Sequence, residues 1–285
     1  MRLPDVDPDA LRRRGYALVR GLFDAEEIAR MRADAEESLA ELDREGRMGT
    51  QAGREGTARS GGDLLGIPRL RHVLYDPRVV HVVERLLGGR PVYFGDSTLR
   101  AGKCGIRGWH RDNYERRRWR GGPDWHDPPY PLLRSAIYLQ DQARHSGGLA
   151  LRPHSNGPGR VRPTLPKLMD ATAGDFIAWD LRTVHSGEVV RLRGAPRLPL
   201  HPSLQSRLPD ALRVPDDGER IAMFIAYALP GPHLDHYLEY LKRDRPDMRE
   251  SWASTPFEPE VWAQAERAGL RMLAPVESYD GRPPR

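Results

Sequence analysis

The sequence is poor in cysteine, in lysine and in long apolar runs. A single cysteine, Cys104 among 285 residues, excludes an intrachain disulfide and suits a reducing compartment. No apolar stretch approaches the ~18 residues that a bilayer-spanning helix needs. The opening Met1-Arg2-Leu3-Pro4-Asp5 lacks the apolar segment of a secretory signal. The expectation is a cytoplasmic protein without a membrane partner. Lysine is nearly absent, so the net charge of +5 comes from arginines scattered among 40 acidic residues. That is a bias toward arginine, not a basic face, and nucleic acid is not an expected partner despite a pI near 9.5. The one local basic run is Arg116-Arg117-Arg118-Trp119-Arg120. There, Arg117 and its neighbours would clamp an anionic substrate group, because guanidinium matches phosphate or carboxylate bidentately.

What is present is a chain long enough for one large β-rich domain, with 30% charged residues and a mean hydropathy of −0.65. No repeat and no domain boundary interrupts residues 1–285, so a single domain is expected. Near the N-terminus, Tyr16 to Val19 suggests a short strand. Asp24 and Glu27 form a capping box for a helix that runs to about Leu42. Residues 46–63, rich in Gly, Arg and Thr, read as a mobile loop. A second helix starts at Asp76-Pro77 and ends at Gly88-Gly89. From Pro91 the pattern changes to short strands: Val92–Phe94, Ser97–Leu99, Ser135–Leu139, Leu149–Leu151, Gly174 through Trp179 toward His185, and Ile221–Leu229. Helical segments return after Pro230-Gly231-Pro232. Two helices, a run of strands and closing helices predict an α+β chain around a β-sandwich or jelly-roll core.

Within that pattern lies Gly108-Trp109-His110-Arg111-Asp112-Asn113. Side chains alternate along a strand, so His110 and Asp112 would project from one side. An imidazole beside a carboxylate can chelate a divalent metal, and one more distant histidine would complete the two-His, one-carboxylate set of non-heme Fe(II) oxygenases. Of the ten histidines, His185 is the best placed, at the end of an apolar strand where a rigid scaffold presents a ligand. His154 sits in a turn, and His201 in an irregular segment. His233-Leu234-Asp235-His236 repeats the spacing, but it opens a helical pattern and has no histidine after it. There Asp235 reads as part of a helix start with a capping role. Three ligands on an octahedral ion leave three positions for a bidentate oxo-acid and dioxygen. A dianionic cosubstrate then needs an arginine for its far carboxylate. Arg220, just before the Ile221 strand, is the first candidate; Arg193 and Arg197 are the others.

These segments resemble the phytanoyl-CoA dioxygenase-like family of Fe(II)/2-oxoglutarate oxygenases over roughly residues 12–228. The resemblance is carried by Gly15-Tyr16 through Glu26-Glu27-Ile28, Asp76-Pro77 through Gly88-Gly89, and Trp109-His110-Arg111-Asp112. Ser146-Gly147-Gly148-Leu149 with Arg152-Pro153-His154-Ser155, then Gly174-Asp175-Phe176 to His185-Ser186-Gly187, and finally Arg220, continue it in order. It implies a double-stranded β-helix with flanking helices, Fe(II) on His110, Asp112 and His185, and 2-oxoglutarate and O2 as cosubstrates. Arg220 would bind 2-oxoglutarate, with Thr98 and Tyr138 within its reach. Asn113, Trp119 and Trp125 would line the substrate pocket. The family's arginine stands about a dozen residues after the distal histidine; here Arg220 follows His185 by 35. Either residues 191–218 are an insertion, forming a lid, or Arg197 has taken the role. The function expected is oxidative tailoring, by hydroxylation or cyclisation, of a small-molecule natural product, first a carbohydrate or glycosylated metabolite. An acyl-thioester or amino-acid derivative is the alternative substrate. A non-catalytic binding protein on the same scaffold is the alternative class.

Overall fold

In the computed structural model the described residues are 3–53, 56–105, 108–113, 130–142, 147–157, 164–205, 207–216, 218–255 and 258–274. The N-terminal elements are α1 (Ala10–Arg14), β1 (Tyr16–Val19) and the long α2 (Ala25–Arg44). As expected, α2 begins on a reciprocal capping box: the Asp24 carboxylate accepts from the Glu27 N–H, and the Glu27 carboxylate from the Asp24 N–H. Residues 46–63 do not form the expected loop. They contain β2 (Gly49–Gly53) and β3 (Gly56–Ser60), antiparallel to one another. Glycine at 53 is dictated by a close approach, since a Cβ there would lie 1.8 Å from the Cys104 carbonyl oxygen. Next, α3 (Pro77–Leu87) stops at Gly88 in the left-handed conformation, φ 78°, where glycine carries no Cβ penalty.

Strands β4 (Val92–Tyr93), β5 (Ser97–Ala101), β6 (Leu132–Tyr138), β7 (Gly148–Leu151), β8 (Lys167–Leu168), β9 (Phe176–Asp180), β10 (His185–Val189) and β11 (Ile221–Ala228) follow, with α4 (Pro202–Gln205) before β11. The chain ends in α5 (Pro232–Asp244), α6 (Pro246–Ser254), α7 (Pro259–Arg267) and β12 (Arg271–Met272). His233 and Asp235 lie in the first turn of α5 as expected, but the cap position is Gly231, with no side-chain cap. Two sheets result. The major one runs β1-β9-β6-β11-β5-β3-β2, with β4 and β12 attached beside β11; the minor one is β10-β7-β8. Their facing layers make the jelly-roll core of a double-stranded β-helix. No helix of the described residues is long and apolar enough to cross a membrane.

The central strands β9, β6 and β11 of the major sheet are buried on both faces, and alternation sorts their residues. Phe176 and Ala178 of β9, Leu133 and Ile137 of β6, and Met223 and Ile225 of β11 join the large core under the helices. Ile177 and Trp179, Ala136 and Tyr138, and Ala222 turn to the other side, where they meet Leu149 and Leu151 of the minor sheet. On that inner face Thr98, Arg100 and Arg134 are polar. They mark where the space between the sheets is a cavity instead of a filled core.

The stretch from Gly174 to His185 is not one strand. β9 ends at Asp180, whose carboxylate accepts the Arg182 N–H at 2.8 Å, and Thr183 donates back to the Asp180 carbonyl at 2.8 Å. This turn carries the chain from the major to the minor sheet, so His185 opens β10 instead of ending β9. Residues 191–218 do not roof the cavity among the described residues. The segment returns along the minor sheet, where the buried Gln205 side chain accepts the Val190 N–H at 2.8 Å.

Candidate active site

His110 lies outside any regular strand. It makes a single antiparallel bridge with His185, each donating its N–H to the other's carbonyl at 2.9 Å. Residues directly opposed in an antiparallel pair project to the same face, and the two imidazole centroids stand 4.2 Å apart. Two residues on, Asp112 donates its N–H to the Leu181 carbonyl at 2.9 Å and projects to the same side. Arg111 projects oppositely and donates to the Ser155 carbonyl at 2.9 Å. The period of two expected from the sequence therefore holds, although the stretch is a bridge and not a strand.

His110, Asp112 and His185 each offer a ligand atom, and these lie within 4.8 Å of one another. Both rings are oriented by the backbone: His110 Nδ1–H donates to the Gly108 carbonyl at 2.8 Å, and His185 Nδ1–H to the Thr183 carbonyl at 3.0 Å. Each Nε2 then faces Asp112, at 3.7 Å from Oδ1 for His110 and 3.5 Å from Oδ2 for His185. Burial pushes the His185 imidazole below its usual pKa, against the pull of the Asp112 carboxylate. Burial pushes Asp112 up, but His185, Arg134 and His110 outweigh it and hold the carboxyl below its ordinary range. A His185 imidazole held toward its neutral form, an Asp112 carboxyl held toward its ionised form and a second imidazole at His110, with both Nδ1 atoms oriented by the backbone, suit a borderline divalent ion.

The cluster opens into a cavity of about 830 Å³ between the sheets. Of the residues singled out in the sequence, Thr98, Tyr138 and Arg220 are on its wall. Thr98 shares a hydrogen bond of 2.8 Å with Ser60. Arg220 is 4% exposed. Its Nε–H donates to the Gly147 carbonyl at 2.6 Å, and its guanidinium packs over the rings of Tyr138 and Phe224 at 5.4 and 5.6 Å. Arg197 and Arg193 are exposed and do not line the cavity. Asn113 is completely buried and is not among the lining residues. Arg117, Trp119 and Trp125 lie outside the described residues. His154 and His201 are exposed and are not part of the cluster.

Sequence reading missed several walls of this cavity. Arg134 of β6 and Trp179 of β9 both reach Asp112. The signal was legible: Arg134 is the lone charge in Leu132-Leu133-Arg134-Ser135-Ala136-Ile137. Glu188 occupies a bulge of β10 at φ 58°, a strained conformation for a side-chain-bearing residue. The bulge aims its carboxylate at the N–H groups of Cys104 and Gly105, 3.0 and 2.8 Å away, and at Arg100, 3.1 Å away. The outer wall comes from the β2–β3 hairpin and from α5 and α6, including Gln51, Tyr240 and Ser251.

Six arginines line the cavity: 47, 59, 100, 134, 220 and 245. Five carry carboxylate partners: Glu45 on Arg47 at 2.9 Å, Glu219 on Arg59 at 2.7 Å, Glu188 on Arg100 at 3.1 Å, Asp96 on Arg134 at 2.7 Å and Asp247 on Arg245 at 2.7 Å. Arg220 has none among the described residues. It is a buried cation with no counter-charge from the described residues, in the chamber that holds the His-Asp-His cluster, and it fits the far carboxylate of a dianion chelated at that cluster.

A model of the phytanoyl-CoA dioxygenase family matches residues 11–191. No curated protein matches the sequence. Among solved structures, the chain is similar to SnoN, described as a non-heme alpha-ketoglutarate-dependent epimerase from nogalamycin biosynthesis. The TM-score is 0.56 at 19% identity, covering 78% of this chain and 81% of that one. It is also similar to SnoK, a carbocyclase from nogalamycin biosynthesis, with TM-score 0.54, 20% identity, and coverage of 76% and 81%. AviO1 from Streptomyces viridochromogenes Tue57 gives TM-score 0.55 at 19% identity, covering 79% and 96%. These likenesses establish the shared fold.

Proposed function

The chain belongs to the phytanoyl-CoA dioxygenase family of Fe(II)- and 2-oxoglutarate-dependent oxygenases, and from that premise we propose that it oxidatively tailors a neutral, hydroxyl-rich natural product such as a carbohydrate or glycosylated metabolite. His110, Asp112 and His185 would hold the iron, and Arg220 the far carboxylate of 2-oxoglutarate. When bound, iron with 2-oxoglutarate and dioxygen supplies the oxidising power for attack on a C–H bond, with 2-oxoglutarate decarboxylated to succinate. The rest is the work of this chain's own residues. The backbone carbonyls of Gly108 and Thr183 fix both imidazoles with Nε2 inward. Tyr138 packs against the Arg220 guanidinium and its hydroxyl stays protonated, since burial raises its pKa; it can therefore donate to a cosubstrate carboxylate. His185, Tyr138 and Arg220 are buried, which would limit the water around a cosubstrate held between them. In this reading, residues 1–285 serve one catalytic domain.

The observation that carries the substrate class is the charge balance of the wall. A coenzyme A thioester brings phosphates, which are recognised by unpaired Arg or Lys. Here every described lining arginine except Arg220 is already neutralised by its own carboxylate, and Arg220 is needed for 2-oxoglutarate. The remaining surface offers Thr50, Gln51, Ser60, Tyr240, Ser251 and Ser254, donors and acceptors suited to hydroxyl groups. About 830 Å³ falls within the range of ligand sites, with room for 2-oxoglutarate and a further sugar-sized group. The setting of SnoN and SnoK in nogalamycin biosynthesis supports natural-product tailoring.

The test is succinate release from purified protein with Fe(II), ascorbate, 2-oxoglutarate and oxygen. Glycosylated and polyhydroxylated compounds are compared with acyl-CoA thioesters and amino-acid derivatives. The reading expects turnover to be stimulated by the first group and to vanish in Asp112→Ala. Stimulation by acyl-CoA thioesters alone would overturn the substrate class.

A further inference from the structure

Arg134 is held between two carboxylates. Its Nη2 donates to Asp96 Oδ2 at 2.7 Å, while its Nε stands 3.4 Å from Asp112 Oδ2 without the alignment of a hydrogen bond. The Tyr237 hydroxyl of α5 ties the first pair together. It donates to Asp96 Oδ2 at 3.2 Å and accepts from Arg134 Nη2 at 3.4 Å. Asp96 is itself buried, 5% exposed, and its carbonyl accepts the Ala226 N–H at 2.8 Å. In the sheet, Arg134 is the direct partner of Trp179, whose Nε1–H donates to the same Asp112 Oδ2 at 3.3 Å. One oxygen of Asp112 therefore faces the Trp179–Arg134 pair.

We propose that Asp96 is a positioning residue of the metal site: by keeping the Arg134 guanidinium on its own carboxylate, it leaves Asp112 available as a ligand. The physical ground is competition. A buried guanidinium requires a carboxylate partner, and among the described residues two are within its reach, Asp96 and Asp112. With the Asp96 carboxylate in place, the guanidinium is engaged there and offers Asp112 no more than a distant N–H. Without the Asp96 carboxylate, the nearest carboxylate for the whole cation among the described residues is Asp112. A full ion pair there would withdraw the oxygen that a divalent ion needs. The inference rests on the assignment of His110, Asp112 and His185 as the metal ligands.

The experiment is a titration of the metal-free full-length protein with Co(II), read by calorimetry and by the Co(II) visible absorption. Asp96→Asn should weaken Co(II) binding about tenfold or more, the range found when groups supporting a ligand are changed. The double variant Asp96→Asn/Arg134→Gln removes the freed cation without altering net charge, and should return affinity to within about threefold of wild type, a non-additive cycle. A merely structural role predicts the opposite, because removing both members of a buried pair should harm the fold at least as much as removing one. Unchanged Co(II) affinity in folded Asp96→Asn, or a double variant weaker than the single, overturns the proposal. Should Asp96→Asn not fold, Tyr237→Phe loosens the same pair and should weaken Co(II) binding about two- to fivefold, a fraction of the full effect. No weakening there also overturns it. Asp112→Ala is the separate control: if that variant keeps wild-type Co(II) affinity, the ligand assignment fails, not the role of Asp96.

Discussion

Replacement of Arg220 by alanine tests whether the structure has found the cosubstrate site. The guanidinium is 4% exposed, is anchored by Nε to the Gly147 carbonyl and has no carboxylate partner among the described residues. Its orientation is set by these contacts without any ligand, so little side-chain entropy would remain to be lost on binding a carboxylate. Truncating one partner of a buried, hydrogen-bonded charge pair costs about 2–5 kcal/mol. At 1.36 kcal/mol per decade, that is a rise in apparent 2-oxoglutarate KM of roughly 30- to 5,000-fold. Initial rates of succinate formation against 2-oxoglutarate concentration would measure it, and kcat at saturation should change far less. Arg220→Lys keeps the charge but loses the planar fork and the Gly147 contact, and should fall between wild type and alanine. Arg197→Ala is the comparison, since that side chain is 89% exposed and faces Asp170 at 3.8 Å; it should leave KM unchanged. A steep rise in Arg197→Ala with none in Arg220→Ala would refute the reasoning.

Three other outcomes follow from the same contacts. His110→Ala, Asp112→Ala and His185→Ala should each abolish tight Fe(II) or Co(II) binding while remaining folded, which metal titration and circular dichroism would show together. Burial pushes the Asp63 carboxyl above the ordinary value of 3.8, against hydrogen bonds from Tyr93, Leu65 and Ser97. A raised folded pKa means that this group's contribution to stability is full below 3.8 and is lost as pH rises through the folded value. Asp63→Asn removes the titration, so its melting temperature relative to wild type should climb from acid to neutral pH; a gap independent of pH would contradict this. Asp24→Ala removes the cap of α2 and should cost about 1 kcal/mol in denaturant melts. Glu27→Ala should cost more, because Glu27 also accepts from both terminal nitrogens of Arg78 at 3.0 and 2.7 Å.

Much of this molecule is written locally in the chain. The cap of α2, the Pro77 start and Gly88 stop of α3, and the apolar strands β6, β9 and β11 follow from short-range patterns, because capping, φ restrictions and side-chain alternation act over a few residues. The pairing of His110 with Asp112 is local for the same reason: a spacing of two puts both on one side, even where the strand shrinks to a single bridge. The resemblance to iron oxygenases was likewise legible, since its segments occur in order along the sequence. The β2–β3 hairpin was not legible. Its Gly-Thr pattern has no apolar period, and what specifies it is pairing with β5 and the close passage of Gly53 over Cys104. His185 was recognised but misplaced at a strand end, because the sheet-switching turn at residues 180–183 interrupts neither hydrophobicity nor propensity.

The sequence by itself determined which side chains could bind a metal and a dianion, and offered three arginines for the second task. Only the tertiary structure distinguishes them: Arg220 is buried, with no carboxylate partner among the described residues, while Arg193 and Arg197 are exposed, and burial and pairing are properties of a site and not of a residue. It likewise showed that the remaining lining arginines have carboxylate partners, that the described residues between 191 and 216 return along the minor sheet, and that Arg134 lies between Asp96 and Asp112. Those partners are separated by as many as 160 positions in the chain, and charge balance at such separations exists only once the sheets have closed on one another.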